Sequence, residues 1–340
     1  MSGEARAAHL RPGGGFRNPW PGGEATPPSR LPAWWWERLR HPAPADPPAS
    51  AFPIAEPAFD APRAAAGVLT LTWVGHSSFL VQLGPVNVLL DPVWSARASP
   101  LAWLGPRRRV PAVPPLDALP PIDAVLLSHD HYDHWDAPTL RRLARDHPAA
   151  RWVVPLGLAD AARALGAGAV HVLDWWDEAT LPLGAGALEV VAVPAQHFSG
   201  RTPFDRDATL WCGYLLRAHG RALWFAGDTG YHPDFGAIGA RARTLDAALI
   251  PVGAYDPRWF MRPVHVDPEE AVRAWADCRA GLAADAPPPC FVPMHWGTFR
   301  LTDEPLDEPP RRARAAWQAA GLPDASFAPL RHGETLRVPR

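Results

Sequence analysis

Four side chains that can bind a metal ion lie close together in the middle of the chain: His129, His131, Asp133 and His134. They directly follow an apolar run, residues 122–127, that predicts a buried strand. The loop at the carboxyl end of such a strand is where sites on α/β sheets collect. Neutral imidazole and carboxylate groups suit zinc, and imidazole also suits iron. The motif therefore predicts a metal site, in which loop residues two apart converge on one ion while Asp133 and His134 turn toward a second.

Three further candidate ligands each follow a predicted strand elsewhere in the chain. His197, Asp228 and His295 all come directly after apolar runs, and Asp228 lies in a Gly-Asp-Thr-Gly turn. Each of these residues, taken alone, is more often structural. Four independent placements at strand ends are hard to obtain by accident, so together they favour one metal-dependent centre.

Three other polar residues near these runs allow two interpretations. Asp130 lies between the residues of the motif, and a solvated loop carboxylate is the favoured interpretation. His76 and Asp91 follow early strands, where they could orient metal ligands through hydrogen bonds. A structural hydrogen bond explains each of them equally well.

The elements that must position these residues can be read from hydrophobic periodicity and turn signals. Strands are predicted at 68–73, 79–83, 86–90, 122–127, 151–155, 187–193, 209–217, 221–226, 246–252 and 290–294. Helices are predicted at 138–145, from the cap residue Asp267 onward, and near 309–320. The early strands form a meander and the later ones alternate with helices, which predicts a layered α/β domain with a mixed sheet.

The first 65 residues differ from the rest of the chain. They are rich in Pro, Gly and Ala and show almost no hydrophobic periodicity, which predicts an arm lying over a domain that spans residues 66–340. One island within the arm, residues 31–40, contains three consecutive tryptophans, Trp34 to Trp36. It is either a short helix docked on the core or an anchor at the membrane interface, where tryptophan beside arginine is common.

Composition excludes several classes of protein. The formal net charge of −2 over 340 residues gives no basic surface for nucleic acid. Three cysteines without CxxC spacing argue against a disulfide scaffold or a thiolate zinc site. The sequence contains no apolar run of about 18 residues and no apolar stretch of a secretory signal near Met1. We therefore expect a cytoplasmic protein that is either soluble or peripheral on a membrane.

The order of these motifs resembles that of a known superfamily. His-x-His-x-Asp-His, a lone His, a Gly-Asp-Thr turn and a late His are the ligand order of the metallo-β-lactamase superfamily. Longer blocks, from about residue 16 onward, resemble the N-acylphosphatidylethanolamine-hydrolysing phospholipase D family. These blocks include Asn18-Pro-Trp-Pro21, Trp73-Val-Gly-His76, Leu90-Asp-Pro92, Phe225-Ala-Gly-Asp-Thr-Gly-Tyr231, His265-Val-Asp-Pro-Glu-Glu-Ala271 and His295-Trp-Gly-Thr-Phe299. The resemblance implies an α/β fold, the αβ/βα sandwich of two mixed sheets flanked by helices.

The resemblance also implies roles for individual residues. Two zinc ions are expected, the first held by His129, His131 and His197, and the second by Asp133, His134 and His295. Asp228 would bridge the two ions and take part in catalysis. Tyr132 and His265 would contact the substrate, and His265 is also a candidate catalytic residue.

The activity that these roles imply is hydrolysis of N-acylphosphatidylethanolamine to N-acylethanolamine and phosphatidic acid by a hydroxide that bridges two zinc ions. The expected partners are a phospholipid substrate, a membrane surface and, as in other family members, a second copy of the chain. Two alternatives stay open. The same metal site could act on a lactone, a nucleotide or a small phosphodiester, or the site could be a structural remnant without activity.

Overall fold

The computed structural model describes residues 8–339. The first seven residues of the predicted arm and Arg340 therefore lie outside the described part of the chain. The expectation that the chain lacks a secretory signal rests on those first residues, so it too falls outside the described part.

Within the described residues, thirteen strands form two mixed sheets. The first sheet contains, in spatial order, β13 (Thr335–Arg337), β1 (Leu69–Gly75), β2 (Ser78–Leu83), β3 (Val86–Leu90), β4 (Ala124–Leu126), β5 (Arg151–Pro155) and β6 (Ala169–Leu173). The second contains β12 (Cys290–Met294), β11 (Ala247–Pro251), β10 (Arg221–Phe225), β9 (Gly213–Ala218), β8 (Gly186–Val193) and β7 (Glu178–Leu183). Pairing is parallel from β3 to β6 and from β10 to β12, and antiparallel elsewhere.

Helices flank the two sheets. They are α1 (Leu31–Arg40), α2 (Ala137–Asp146), α3 (Ala159–Ala164), α4 (Phe235–Ala242), α5 (Arg258–Met261), α6 (Pro268–Gly281) and α7 (Pro309–Ala319). Leu140 and Leu143 of α2 pack on the first sheet, whereas Phe235, Trp275 and Trp317 of α4, α6 and α7 pack on the second.

The inward faces of the two sheets share a single apolar core. Val81 and Val88 from the first sheet and Leu188 and Leu223 from the second belong to one buried cluster. Strands that are buried on both faces read as continuous apolar runs, which is why β4 and β11 could be recognised without alternation. The predicted αβ/βα sandwich of two mixed sheets flanked by helices is confirmed.

The structure corrects some predicted elements. The strand predicted at 209–217 begins only at Gly213, because the backbone of Leu210 and Cys212 bonds to Leu156 and Ser128 in neighbouring loops instead of continuing the sheet ladder. Strands β6, β7 and β13 were not predicted; they lie toward sheet edges and are partly exposed, so their apolar signal is weak. The start of α6 is as predicted, with a complete capping box at Asp267 that is worth about 1 kcal/mol.

Within the segment predicted as an arm, helix α1 contains the three tryptophans. Trp34 is buried against Met261 and Val264, so this side chain docks on the domain. Trp35 and Trp36 are 63% and 58% exposed, so they take no part in that docking. Among residues 8–339, none of the helices has the length and apolar character needed to cross a bilayer.

Candidate metal centre

The predicted ligands meet at one edge of the sandwich because each follows a strand that ends there. The motif loop follows β4, and the three distant candidates, His197, Asp228 and His295, follow β8, β10 and β12. All seven side chains are buried or half-buried, and each has a potential ligand atom within 4.8 Å of one in at least two other residues of the centre. The structure thus brings together the residues that the sequence predicts as ligands.

The first predicted ligand set is compact. One potential ligand atom from each of His129, His131 and His197 lies within 4.8 Å of the others. His131 Nδ1 lies 2.9 Å from His129 Nε2 and 3.1 Å from His197 Nε2. Three imidazole nitrogens therefore face one point, which is the donor set of many zinc sites.

The second predicted set is equally close and includes one residue that was not predicted as a ligand. Asp133, His134, His295 and His76 each place a potential ligand atom within 4.8 Å of the others. Asp133 Oδ2 lies 3.5 Å from both His134 Nε2 and His295 Nε2. His76 Nε2 is hydrogen bonded to the same oxygen at 2.8 Å, so we assign it the role of holding Asp133 in place.

Asp228 lies between the two sets. Its Oδ2 atom is 3.0 Å from His134 Nε2 and from His295 Nε2, which belong to the second set. The same atom is 3.9 Å from His129 Nε2 and 3.8 Å from His197 Nε2, which belong to the first. A single carboxylate oxygen that faces both sets has the position of a bridging ligand.

The charge states of these groups fit the binding of cations. Burial lowers the pKa of His197 to about 3 and that of His131 to about 4, so the first set is neutral near pH 7. Burial also opposes charge on His295, but the carboxylates of Asp228 and Asp133 outweigh it and raise the pKa of His295 to about 9. The carboxylates of the second set therefore stabilise a proton on His295, and a bound metal ion would take the place of that positive charge.

Several buried polar atoms at the centre lack a hydrogen-bond partner in the described part of the chain. They are His134 Nε2, His295 Nδ1, His295 Nε2 and Asp228 Oδ1. Such atoms are costly to bury unless another group satisfies them. Imidazole nitrogens and carboxylate oxygens that converge without hydrogen bonds are well suited to metal ions, so the residues present fit the predicted centre.

Other side chains orient the ligands from behind. Asp91 Oδ2 accepts hydrogen bonds from His134 Nδ1 at 2.7 Å and from Ser128 Oγ at 2.6 Å, and Ser128 Oγ is 2.9 Å from His129 Nδ1. His197 Nδ1 donates to the carbonyl oxygen of Val264 at 2.9 Å. These bonds leave Nε2 of each imidazole facing the centre, so Asp91 has the orienting role that the sequence left open.

The backbone is strained at three of these positions. His76, Asp91 and His295 have φ values of +56°, +38° and +63°, a region that L-residues rarely adopt. Such conformations cost of order 1–3 kcal/mol each and persist where the surrounding structure enforces them. Because the three positions cluster at the centre, we infer that the contacts which place these side chains are strong enough to hold the backbone in an unfavourable conformation.

The interpretation of Asp130 as a solvated loop carboxylate is wrong. Its side chain is buried, with Oδ1 accepting from the Gly200 amide at 2.9 Å and Oδ2 accepting from Thr209 Oγ1 at 3.1 Å. Asp130 therefore ties the motif loop to the segment that follows His197. Nothing in the local sequence indicates this role, because both partners lie at least 70 residues away along the chain.

The two predicted substrate-contact residues are placed differently. His265 joins His197 and Asp228 in a group whose ligand atoms lie within 4.8 Å, and its buried Nδ1 has no hydrogen-bond partner among residues 8–339. Tyr132 is fixed in the neighbouring loop, because its hydroxyl donates to the Arg201 carbonyl at 3.0 Å and the Arg201 guanidinium lies over its ring. Arg201 was not singled out from the sequence.

Comparison with known proteins connects this centre to a family. A family model described as the beta-lactamase superfamily domain matches residues 86–296, a range that contains all seven predicted ligands. The chain belongs to the metallo-β-lactamase superfamily. The strand-end arrangement of ligands in this superfamily member is therefore a feature of its fold.

Proteins similar to this superfamily member include an uncharacterized protein, a phospholipase D and a metallo hydrolase. An uncharacterized protein of Mycobacterium tuberculosis is 41% identical over 284 residues, 83% of this chain and 72% of that protein. N-acyl-phosphatidylethanolamine-hydrolyzing phospholipase D 1 of Caenorhabditis elegans is 36% identical over 274 residues, 78% of this chain and 75% of that protein. A metallo hydrolase of the archaeon Ignicoccus hospitalis shares the fold, with a TM-score of 0.59 and 24% identity over 80% of this chain and 99% of that chain. This superfamily member is a metal-dependent hydrolase of the metallo-β-lactamase fold.

Proposed function

We propose that the protein is a phospholipase D that hydrolyses N-acylphosphatidylethanolamine to N-acylethanolamine and phosphatidic acid at a centre of two zinc ions. The observation that carries the hydrolytic centre is the position of Asp228 Oδ2, 3.0–3.9 Å from imidazole nitrogens of both ligand sets. The choice of substrate is supported by the 36% identity to the Caenorhabditis elegans enzyme.

The reaction adds a water oxygen to phosphorus and breaks the bond between phosphorus and the ethanolamine oxygen, which then takes up a proton. Bound zinc ions would supply an ionised water near neutral pH and positive charge beside the phosphoryl oxygens. Burial lowers the pKa of His265 well below its usual value, so its imidazole is neutral. A neutral imidazole with a free Nδ1 beside the ligands can form a hydrogen bond with a phosphoryl or leaving-group oxygen.

Apolar side chains lie next to this centre. The Phe198 ring packs on His131 at 4.5 Å and on His197 at 4.9 Å between ring centroids. Phe198 in turn belongs to an apolar cluster with Trp34, Met261 and other side chains around α1. The partly exposed members of this cluster, Phe198, Phe260 and Leu31, support a substrate with acyl chains, which would be held by burial of apolar area.

A panel of substrates tests the proposal. Zinc-loaded protein is incubated separately with N-acylphosphatidylethanolamine, a small phosphodiester and a lactone, and the products are identified by mass spectrometry. We expect N-acylethanolamine and phosphatidic acid from the first, with much slower turnover of the other two. Turnover of the lactone or the small phosphodiester alone would keep the hydrolytic centre and contradict the lipid substrate.

We also propose that helix α1 meets the lipid surface. Trp35, Trp36 and Leu39 are 63%, 58% and 78% exposed, and they share a helix with Trp34, which is docked beside the centre. The Arg40 guanidinium lies 4.7 Å from the Trp36 ring centroid. Tryptophan flanked by arginine suits the headgroup level of a bilayer, with the charges toward anionic lipid.

Serine substitution of Trp35 and Trp36 tests this contact. Because each large apolar side chain contributes about 1.5–3 kcal/mol when it leaves water, we expect each single substitution to slow hydrolysis of vesicle substrate roughly 10- to 100-fold. Hydrolysis of detergent-dispersed substrate should change little. Trp103→Ser, which alters a 73% exposed tryptophan in a loop, is the matched control. Equal losses on vesicles and on dispersed substrate would contradict a role of α1 at the membrane.

A further inference from the structure

Asn18, in the N-terminal segment, holds the backbone of one predicted metal ligand from both sides. Its Nδ2 atom donates to the His197 carbonyl oxygen at 2.8 Å, and its Oδ1 atom accepts from the His197 amide at 3.1 Å. The same side chain donates to the Gly23 carbonyl at 2.6 Å and accepts from Trp211 Nε1 at 3.1 Å. Asn18 is buried, and its amide group is fully engaged in these four bonds.

The residue before His197 is held just as firmly. The Gln196 amide donates to Thr229 Oγ1 at 2.9 Å, and the Gln196 carbonyl accepts from the Gly230 amide at 2.7 Å. Gln196 Nε2 donates to the Pro263 carbonyl at 2.9 Å. Residues 196–197 therefore connect the turn that carries Asp228 with the segment that leads to His265.

The approach of the N-terminal segment to this point is close. A Cβ atom added at Gly23 would lie 2.7 Å from Gln196 Oε1 and 3.1 Å from Asn18 Cβ, closer than such atoms normally come. A side chain at this position would therefore force Asn18 or the Gln196 side chain, which is bonded to Pro263, to shift. The N-terminal segment is also fastened nearby, because the Phe16 amide donates to the Asp207 carbonyl at 2.8 Å.

We propose that Asn18 is a positioning residue for the metal centre, and that the N-terminal segment thereby completes a site whose ligands all lie between residues 129 and 295. Asn18 fixes the peptide groups on both sides of the His197 Cα atom. With Nδ1 bonded to Val264, this sets the direction in which His197 Nε2 points. The proposal rests on the ligand role of His197 in the proposed function and not on the identity of the substrate, so its test measures zinc binding and not hydrolysis.

A buried asparagine of comparable structural importance supplies the control. Asn87 Nδ2 donates to the carbonyl oxygens of Pro62 and Pro121 at 3.0 and 2.7 Å, and its Oδ1 accepts from Gln82 at 2.9 Å. It too ties the N-terminal segment to the domain. It lies near the start of β3, whereas Asp91 and the ligands lie beyond the opposite ends of the strands.

The test compares zinc affinity in the full-length variants Asn18→Ala, Asn87→Ala and His197→Ala by competition with a chromophoric chelator. Thermal unfolding of each metal-free protein is measured alongside. Loss of groups that orient a ligand typically costs 10- to 100-fold in metal affinity, and we expect that loss for Asn18→Ala. Asn87→Ala should lower the unfolding temperature by a similar amount and leave zinc affinity unchanged.

A second variant covers the case in which Asn18→Ala does not fold. Gly23→Ala keeps every hydrogen-bonding group but displaces Asn18 and Gln196, and we expect a several-fold loss of zinc affinity. The proposal would be overturned if the folded Asn18→Ala protein bound zinc with wild-type affinity. If only Gly23→Ala folds, wild-type zinc affinity in that protein would overturn it. Equal losses of zinc affinity in the Asn18 and Asn87 variants would also overturn it. If His197→Ala also binds zinc normally, the assigned ligand set fails together with the proposal. If His197→Ala alone weakens binding, only the role of Asn18 fails.

Discussion

Replacement of Asp228 by alanine is expected to lower kcat by about 10³-fold or more and to reduce the bound metal. Its Oδ2 atom lies within 4 Å of imidazole nitrogens from both ligand sets. Without it the two sets lose their common ligand, and His134 and His295 lose the negative charge that raises their pKa. Charge stabilisation by metal ions contributes several kcal/mol, and about 4 kcal/mol corresponds to 10³-fold in rate.

The matched control for this variant is Asp123→Ala. Asp123 forms a bidentate ion pair with Arg63 at 2.5 and 2.9 Å and precedes β4, at the end of the strand away from the ligands. The Asp123→Ala protein should be less stable than the wild type but should keep its bound metal and its activity. Metal content is measured by plasma emission spectroscopy, and turnover by product analysis at saturating substrate. Near-normal turnover of Asp228→Ala would rule out a bridging role for this carboxylate.

The second large effect is expected for Asp91→Asn, because this change reverses a hydrogen bond. Asp91 Oδ2 accepts from His134 Nδ1, which leaves His134 Nε2 unprotonated once the imidazole is neutral. The Ser128 amide donates to Asp91 Oδ1, so an asparagine would keep its oxygen there and turn its NH2 group toward His134 Nδ1. That group would donate to Nδ1 and move the proton to Nε2, the atom that faces Asp228. A protonated Nε2 cannot bind a metal ion, so we expect a 10- to 100-fold loss of zinc affinity.

Asparagine is the informative substitution here because it preserves the shape of the side chain and tolerates the φ of +38° at this position. Asp136→Asn is the control: Asp136 accepts from the amides of Trp94 and Ser95 and from Thr139 Oγ1, none of which is a predicted ligand. Zinc affinity is measured by chelator competition. An Asp91 variant with wild-type affinity would show that His134 does not use Nε2 as a ligand.

The convergence of the candidate ligands could be predicted because the motif loop and each of the three later candidates follow an apolar run. In a sandwich with parallel strands at its centre, such runs end at one edge, so sequence adjacency to a strand becomes spatial adjacency between residues such as His134 and His295. Continuous apolar runs also located the core strands β4 and β11. Apolarity alone does not mark the ends of a strand, since the buried loop residues Leu210 and Cys212 extended the strand predicted at 209–217.

The supporting residues could not be predicted in this way. Asn18 and His197 are 179 residues apart, and nothing in either local sequence indicates that their polar groups meet. Asp130 was interpreted wrongly for the same reason, since the burial of a loop carboxylate depends on the segment that covers it. Trp34 and Trp35 are adjacent tryptophans, yet Trp34 is buried and Trp35 is exposed. Contacts with distant residues such as Met261 decide which face of α1 packs on the domain, and the local sequence does not show this.

The most direct measurement of the central claim is product analysis after hydrolysis in water enriched in oxygen-18. Zinc-loaded protein is incubated with N-acylphosphatidylethanolamine, and both products are weighed by mass spectrometry, with Asp228→Ala as the control. Attack of water at phosphorus predicts one heavy oxygen in phosphatidic acid and none in N-acylethanolamine, from the wild type alone. Heavy oxygen in N-acylethanolamine, or no release of either product by the zinc-loaded wild type, would contradict the proposed reaction.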